Sequence, residues 1–404
     1  VTPPERSAEF SSHINDGLNW ATLLHLHRIN KSKRGSKVGN NIMARVLFIL
    51  KRKHDYYALA PDANVLSVST GLYNSANYMV EMLKPMVDEV GIVVVTDNND
   101  IDREVRKFNP THVIIEALWV VPEKFEVLTK LHPKVEWIIR LHSEVPFIAS
   151  EGISMDWIGR YLDYPNVLIG VNAPRMLQSV RSFLKAKTGY LSDDEIFQRT
   201  IYMPNYYPVE GAKAYDFSTR PDVVKIGCFG AVRPLKNQLA QALAAVEFAK
   251  SHGKGLEFHI NSSRVEMNGS PILKNLVQMF DHLGPRYVLV CHEWMPREEF
   301  LKVVGSMDIL MQVSFSETFN IVAADATVMG VPVVGSSEIP WLCVFKADPT
   351  SQTSMIRALN WASFVPSIAV LLNQLSLRRY DRKTKQVWAN LFAEPSPWKY
   401  FLWK

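Results

Sequence analysis

Residues 308–335 read DILMQVSFSETFNIVAADATVMGVPVVG. The apolar run Asp308–Val313 predicts a buried strand, Ile321–Met329 a helix, and Val331–Val334 a second strand. A strand, a crossover helix and another strand in so short a stretch predict parallel pairing, since parallel strands need such a crossover. The loop Ser314–Asn320 joins the carboxyl end of the strand to the helix N-terminus. Free backbone N–H groups and the helix dipole make that loop a candidate anion site.

The alternation extends upstream. Val223–Phe229, Leu256–Ile260 and Tyr287–Cys291 read as strands, and Asn237–Ser251, Ile272–Leu283 and Glu298–Gly305 as helices. An earlier series has strands at Val46–Leu50, Gly91–Val95, Thr111–Glu116, Val135–Leu141 and Val167–Val171. Between them lie an extended segment at Val65–Ser69 and a loop led by Gly71 into a helix over Tyr73–Leu83. Helices follow at Asp100–Phe108, at Pro122–Leu131 and through Met176 and Leu184. The pattern predicts an α/β protein with two doubly wound, parallel-sheet, Rossmann-like domains facing a cleft. Pro204 and Pro208 mark the passage between them. The expected organisation is a flexible basic leader over 1–42, a first domain over 43–208, a second over 209–375 and a helical segment over 376–404.

The chain has 404 residues, 47% hydrophobic and 21% charged, which excludes a disordered or low-complexity protein. Its three cysteines, Cys228, Cys291 and Cys343, lie far apart. That argues against a disulfide scaffold or cysteine zinc site and predicts a reducing, cytoplasmic setting. No apolar run approaches the ~18 residues of a membrane span, and no signal peptide is expected. The formal charge is +5, of which the leader carries a surplus of three, so the body is nearly neutral. Bulk charge therefore gives little support to nucleic-acid binding.

A second candidate site is GCFGAVRPLKNQ, residues 227–238. A strand ends in a glycine turn, Arg233 and Lys236 follow, and a helix begins. Such cations suit a diphosphate: arginine binds in two-pronged fashion and lysine as a compact charge. In the first stretch Glu317 opens the loop, and Asp325 falls about two helical turns further on if the helix is extended back to it, roughly 12 Å along the axis. Carboxylates so spaced fit two hydroxyl-bearing parts of one ligand and are too far apart for a retaining hydrolase pair. The apolar Val322, Ala323 and Ala324 predict a buried helix, where Asp325 requires a partner.

These residues resemble the family 4 retaining glycosyltransferases of the GT-B fold. That family shows Ser-x-x-Glu-Gly-Phe-Gly, a second Glu eight positions after the first, and then Gly-x-Pro-Val-Val. Ser314, Glu317, Phe319, Gly330, Pro332, Val333 and Val334 match, with Asp325 in place of the second Glu and Thr318 and Asn320 in place of glycines. Its Gly-Arg-x-x-x-x-Lys-Gly pattern is met by Gly230 and Lys236, with Ala231 at the Arg position, Asn237 at the last Gly and Arg233 shifted by two. Met203-Pro204-Asn205 resembles an Ile-Pro-Asn segment of the family.

The resemblance implies a metal-independent retaining transferase that uses a UDP- or GDP-linked sugar as donor substrate, with no separate cofactor. Glu317 would hold the donor sugar and Asp325 the ribose. Lys236, Arg233 and the loop of Thr318, Phe319 and Asn320 would stabilise the departing diphosphate, beside Gly230. Ser262 and Arg264 would lie near the base, His142 beside the sugar, and Gly71 in a glycine-rich loop of the first domain. The final helical segment, with Trp361, Trp388, Trp398 and Trp403 near or in it, would cross back to the first domain. The acceptor is a glycan, a lipid, a small molecule or modified DNA. Two rival readings stand beside this one. A viral-type enzyme acting on hydroxymethylated DNA bases would use the basic leader and the patch of Arg378, Arg379, Lys383 and Lys385; a sugar-nucleotide binding protein would carry no transferase activity.

Asp100-Ile101-Asp102 has the form of a metal motif but reads better as a helix cap. His25 and His27 lack further ligands nearby, and the sequons at Asn261 and Asn268 are formal only.

Overall fold

The computed structural model describes residues 44–52, 70–187, 191–217 and 222–393. The expected leader, the segment Val65–Ser69, Trp398 and Trp403 lie outside the described residues.

The first sheet holds β1 (Arg45–Lys51), β2 (Glu89–Val95), β3 (His112–Glu116), β4 (Glu136–Leu141), β5 (Val167–Val171) and β6 (Thr200–Tyr202). All pair in parallel, in the order β2-β1-β3-β4-β5-β6. Its helices are α1 (Thr70–Leu83), α2 (Asp100–Phe108), α3 (Lys124–Leu131), α4 (Val145–Ile148), α5 (Ser154–Tyr161), α6 (Pro174–Lys187) and α7 (Asp193–Arg199). Every residue of β3, β4 and β5 is buried, as expected of strands covered on both faces. Alternate residues feed two cores. Leu47, Ile49, Val113, Ile115, Trp137 and Ile139 face one. Val46, Phe48, Leu50, Ile114 and Ile138 face the other.

The second sheet holds β7 (Val223–Gly227), β8 (Gly255–Asn261), β9 (Tyr287–His292), β10 (Ile309–Gln312) and β11 (Val333–Gly335). It too is parallel, in the order β11-β10-β7-β8-β9. Helices α8 (Gln238–Ser251), α9 (Ser270–Asp281), α10 (Arg297–Gly305) and α11 (Ile321–Val328) cross between its strands. Two more, α12 (Gln352–Phe364) and α13 (Pro366–Ala393), end the described chain. The strand order reverses between β7 and β10, so the loops leaving these two strands lie side by side at their carboxyl ends.

The structure departs from the sequence reading in several places. Gly71 lies inside α1 rather than in a loop before it. Helix α13 runs from Pro366, a residue tolerated in the first turn of a helix, into the segment expected over 376–404. The four-residue α4 and the three-residue β6 carry too few residues for a period to show. Helix α7 had a readable signal: Ser192 and Glu195 form a reciprocal capping box. At Asp100 the carboxylate reaches back to the N–H groups of Thr96 (3.0 Å) and Asp97 (3.4 Å), a turn at the helix start.

Helix α13 joins the domains. Its Leu377 and Tyr380 sit in the core of the second, while Trp388 and Phe392 sit in a core of the first. Trp388 is fully buried, lies 6.2 Å from the Phe48 ring and donates from Nε1 to the Pro204 carbonyl (2.9 Å). Removing so large a side chain leaves a cavity at this junction. Trp388→Ala is expected to cost about 3–5 kcal/mol of unfolding free energy, read from urea denaturation.

Asp381 of α13 accepts from the Tyr207 backbone N–H (3.2 Å), while its Oδ2 is buried without a partner. Burial pushes its carboxyl up to about 8. The folded chain therefore keeps a proton that the unfolded chain releases near the ordinary carboxyl value of 3.8. Stability is lost as pH rises from there through about 8. Asp381→Asn should remove that loss, so its advantage over the wild type in thermal melts should grow between those limits.

Candidate functional site

The loop after β7 and the loop after β10 meet at the strand-order reversal. Gly230 turns the first loop at φ +112°, a conformation open mainly to glycine, and its N–H bonds Asn261 Oδ1 (3.0 Å). A single turn of tighter helix, Pro234–Lys236, then brings Lys236 across to the second loop. Lys236 Nζ lies 2.5 Å from Glu317 Oε1, and both side chains are nearly buried. Beside them α11 begins at Ile321. The helix does not reach back to Glu317, so the axial spacing expected between Glu317 and Asp325 does not apply; the carboxylate is placed by the loop.

Asn237 and Asn320, which stand where the family pattern has glycines, have φ of 57° and 62°. Asparagine tolerates this left-handed region better than other side chains, so the backbone path survives the exchange. The Asn320 side chain is spent on the fold: Oδ1 caps α11 through Ala323 N (2.9 Å), and Nδ2 donates to Gln312 Oε1 (2.9 Å). Phe319 is likewise a core residue, packed on Trp341 and Tyr380. Only the backbone of these two residues is available to a ligand.

Arg233 spans the lobes. Its Nη1 reaches Glu266 Oε2 at 3.3 Å and its guanidinium lies 4.9 Å from the centre of the Phe147 ring. Its Nε is buried without a hydrogen-bond partner. Arg264 also bonds Glu266 (2.6 Å) and stacks on Trp294 at 4.9 Å. The backbone N–H of Ser262 continues the sheet to His292 O (3.0 Å), while the neighbouring Ser263 Oγ accepts from Trp294 N (2.8 Å).

Asp325 is fully buried. Arg297, at the start of α10, grips it with Nη1 on Oδ2 (2.8 Å) and Nη2 on Oδ1 (2.5 Å), and Tyr207 Oη donates to Oδ1 (2.7 Å). Arg297 Nε also reaches Tyr78 Oη (3.1 Å). Burial lowers the affinity of Arg297 for its proton, but the bonds to Asp325 outweigh it and hold the guanidinium charged. Burial pushes the Asp325 carboxyl up, against the pull of Arg297. Oδ1 has two donors; Oδ2 has one and retains a lone pair for a further donor. A small cavity of about 60 Å³ adjoins this cluster, lined in part by Gly71, Gly230, Trp294, Arg297, Val322 and Asp325.

In the first domain, the carboxyl ends of β3 and β4 hold a second buried cluster. Glu116 pairs with Arg140 (2.9 Å), and Arg140 also donates to Met203 O and Asn205 Oδ1. His142 bonds Glu116 through Nε2 and approaches Asn172 Nδ2 through Nδ1 (3.4 Å). Burial raises the Glu116 carboxyl, but Arg140 and His142 outweigh it and hold it below the usual range. Burial lowers the His142 ring more than Glu116 raises it. Nε2 is held by Glu116, while Asn172 Nδ2 is shared with Asn205 Oδ1 (3.3 Å) and Thr318 Oγ1 (3.1 Å).

The two clusters meet at Thr318. Its Oγ1 donates to His142 O (3.1 Å) and accepts from Asn172 Nδ2 (3.1 Å). Arg175 makes a second bridge, to Glu144 (2.9 Å) in its own domain and Glu338 (2.7 Å) in the other. Burial pushes the Glu144 carboxyl up, and Arg175 opposes it.

Sequence reasoning missed Glu116, Arg140, Asn172, Arg297 and Tyr207. Glu116 had a signal, a carboxylate closing an apolar strand at the end where ligands bind. Arg297 had none, since its partner Asp325 is met only through the fold. Among the described residues no group of three His, Cys, Asp or Glu side chains is arranged to hold a metal ion.

No protein-family model and no curated protein matches the chain. Solved structures do match its fold. The N-terminal domain of trehalose-6-phosphate phosphatase from Candida albicans is 10% identical, with a TM-score of 0.63 over 89% of this chain and 98% of that one. A UDP-forming α,α-trehalose-phosphate synthase from Burkholderia xenovorans is 14% identical, with a TM-score of 0.61 over 87% and 98%. A trehalose-6-phosphate protein from E. coli bound with UDP-2-fluoro glucose is 12% identical, with a TM-score of 0.59 over 86% and 98%. The likeness establishes the fold class, two Rossmann-like domains of the GT-B type.

The Arg297–Asp325 pair makes a direct prediction. Arg297→Met leaves a buried carboxylate without its counter-charge and should cost about 3–5 kcal/mol at pH 7. Adding Asp325→Asn should recover part of that loss, because no charge then remains to be buried. Urea denaturation of the single and double variants checks both statements.

Proposed function

We propose that the protein is a metal-independent retaining glycosyltransferase that moves a sugar from a nucleotide-diphosphate sugar to an acceptor hydroxyl. The observation that carries this reading is the Lys236–Glu317 pair at the strand-order reversal, next to the N-terminus of α11. A cation, a carboxylate and aligned backbone N–H groups are what a diphosphate joined to a sugar needs. A uridine nucleotide is favoured over guanosine, because two of the fold neighbours are named as UDP-forming or as bound with UDP-2-fluoro glucose. The assignment to family 4 rests on the motif residues alone.

In this reading the donor occupies the second domain. Lys236, Arg233 and the backbone at Thr318–Asn320 stabilise charge as the sugar–phosphate bond breaks; the acceptor oxygen bonds the sugar carbon and its proton passes to the departing phosphate, with no covalent enzyme intermediate. Glu317 turns to the sugar hydroxyls once phosphate competes for Lys236. Asp325 offers its remaining Oδ2 lone pair to the ribose, held in place by Arg297. The acceptor enters from the first domain, where the Glu116–His142–Asn172 cluster faces Thr318. The 60 Å³ cavity is far below the roughly 300–1,000 Å³ of a small-molecule site, so binding requires the lobes to part and closure then excludes water.

A thermal-shift screen of UDP- and GDP-sugars should find a stabilising donor, by about 2.7 kcal/mol at a concentration of 100 Kd. With that donor and an acceptor, Lys236→Ala and Glu317→Ala should each lower transfer by about 10²–10³-fold, and a chelator should leave the wild-type rate unchanged. Wild-type rates in both variants would sink the site. Nucleotide diphosphate released only with acceptor present separates a transferase from a binding protein.

A further inference from the structure

Helices α12 and α13 meet at a bend of 101°. The corner and the first turns of α13 expose Trp361 (53%), Phe364 (78%), Ile368 (53%), Leu371 (55%), Leu372 (39%) and Leu375 (49%). Such a contiguous apolar face is unusual on a protein in water. On the same side of α13, the next two turns expose Arg378, Arg379 and Arg382. At 100° per residue, Ile368, Leu371, Leu372, Leu375 and these arginines fall within an arc of about 120°. One helical face thus changes from apolar to cationic along its length.

Charge decides what this face fits. Between Gln352 and Ala393 the sole acidic residue is Asp381, and it is buried. A second copy placed on this face therefore brings no exposed carboxylate from either helix to answer the arginines. An anionic lipid surface answers both halves of the face, with acyl chains for the aromatic corner and headgroup phosphates for the arginines. The opposite side of both helices is committed to the protein, through Leu359 and Ala362 of α12 and Leu377 and Trp388 of α13. No single helix among the described residues is long and apolar enough to cross a membrane, and the bent pair Gln352–Phe364 and Pro366–Phe392 meets that test together by length and composition only. The commitment of its other side to the protein core leaves the pair one free face, which suits a surface rather than a span.

We propose that the exposed face of α12 and α13 docks the protein on anionic membranes, with Trp361 and Phe364 entering the acyl region and Arg378, Arg379 and Arg382 at the phosphates. The proposal stands apart from the transfer reaction and is read by binding alone.

The 404-residue chain is sedimented with phosphatidylcholine vesicles that contain or lack phosphatidylglycerol. Binding is expected with phosphatidylglycerol, falling as salt is raised, and little binding without it. Phe364→Ser with Leu371→Ser should weaken binding at least tenfold, and Arg378→Ser with Arg379→Ser about thirtyfold. All four side chains are exposed, so the melting temperature should hold and report that folding is intact. The proposal is overturned if the wild type stays in the supernatant with anionic vesicles, or if both variants bind as the wild type does. It is also overturned if velocity sedimentation shows a dimer that Phe364→Ser with Leu371→Ser splits, since a second copy would then be the occupant.

Discussion

A nearly buried ammonium and a nearly buried carboxylate meet at Lys236 and Glu317 because the second sheet reverses its strand order between β7 and β10. Eighty-one residues separate the two in sequence. Only at such a reversal do the loops after two neighbouring strands run to opposite faces and leave a crevice between them. The pair sits in that crevice, where each charge is the other's partner. A ligand that offers phosphate to the lysine and hydroxyls to the carboxylate can replace the pair without leaving either group unsatisfied.

The remaining buried charges follow a different logic. Arg297 with Asp325, and Arg140 with Glu116, are gripped by several partners each and sit among tyrosine, asparagine and backbone groups. They fix the walls of the cleft. The Arg140 network ties the ends of β3 and β4 to Met203 and Asn205, and α13 is anchored beside it by Trp388 on Pro204. The same short segment that links the domains thus carries the bonds that orient His142 and Asn172 toward Thr318.

The fold was legible because both sheets are parallel and nearly every strand is a short apolar run followed by an amphipathic helix. Parallel strands, buried on two faces, write themselves plainly in composition. Elements of three or four residues, such as β6 and α4, have no room for a period and did not show. In the second domain, Lys236 and Glu317 could be found because each belongs to a local strand–loop–helix pattern. Arg297 and Glu116 could not be paired with their partners from sequence, since the contacts join elements that only the sheet order brings together. The same holds for Asn172, whose bond to Thr318 crosses the cleft over 146 residues of chain.

The departures from the glycine-rich motif are informative for the same reason. A glycine can be read as conformation, as space, or as both. At 237 and 320 the structure asks for conformation, and asparagine meets it at φ near 60°. At 318 the side chain itself is used: the threonine hydroxyl bonds a carbonyl and an amide of the opposite domain. A glycine there would keep the loop and lose both contacts across the cleft. Thr318 therefore adds a contact between the two domains at a position where the family pattern has only backbone.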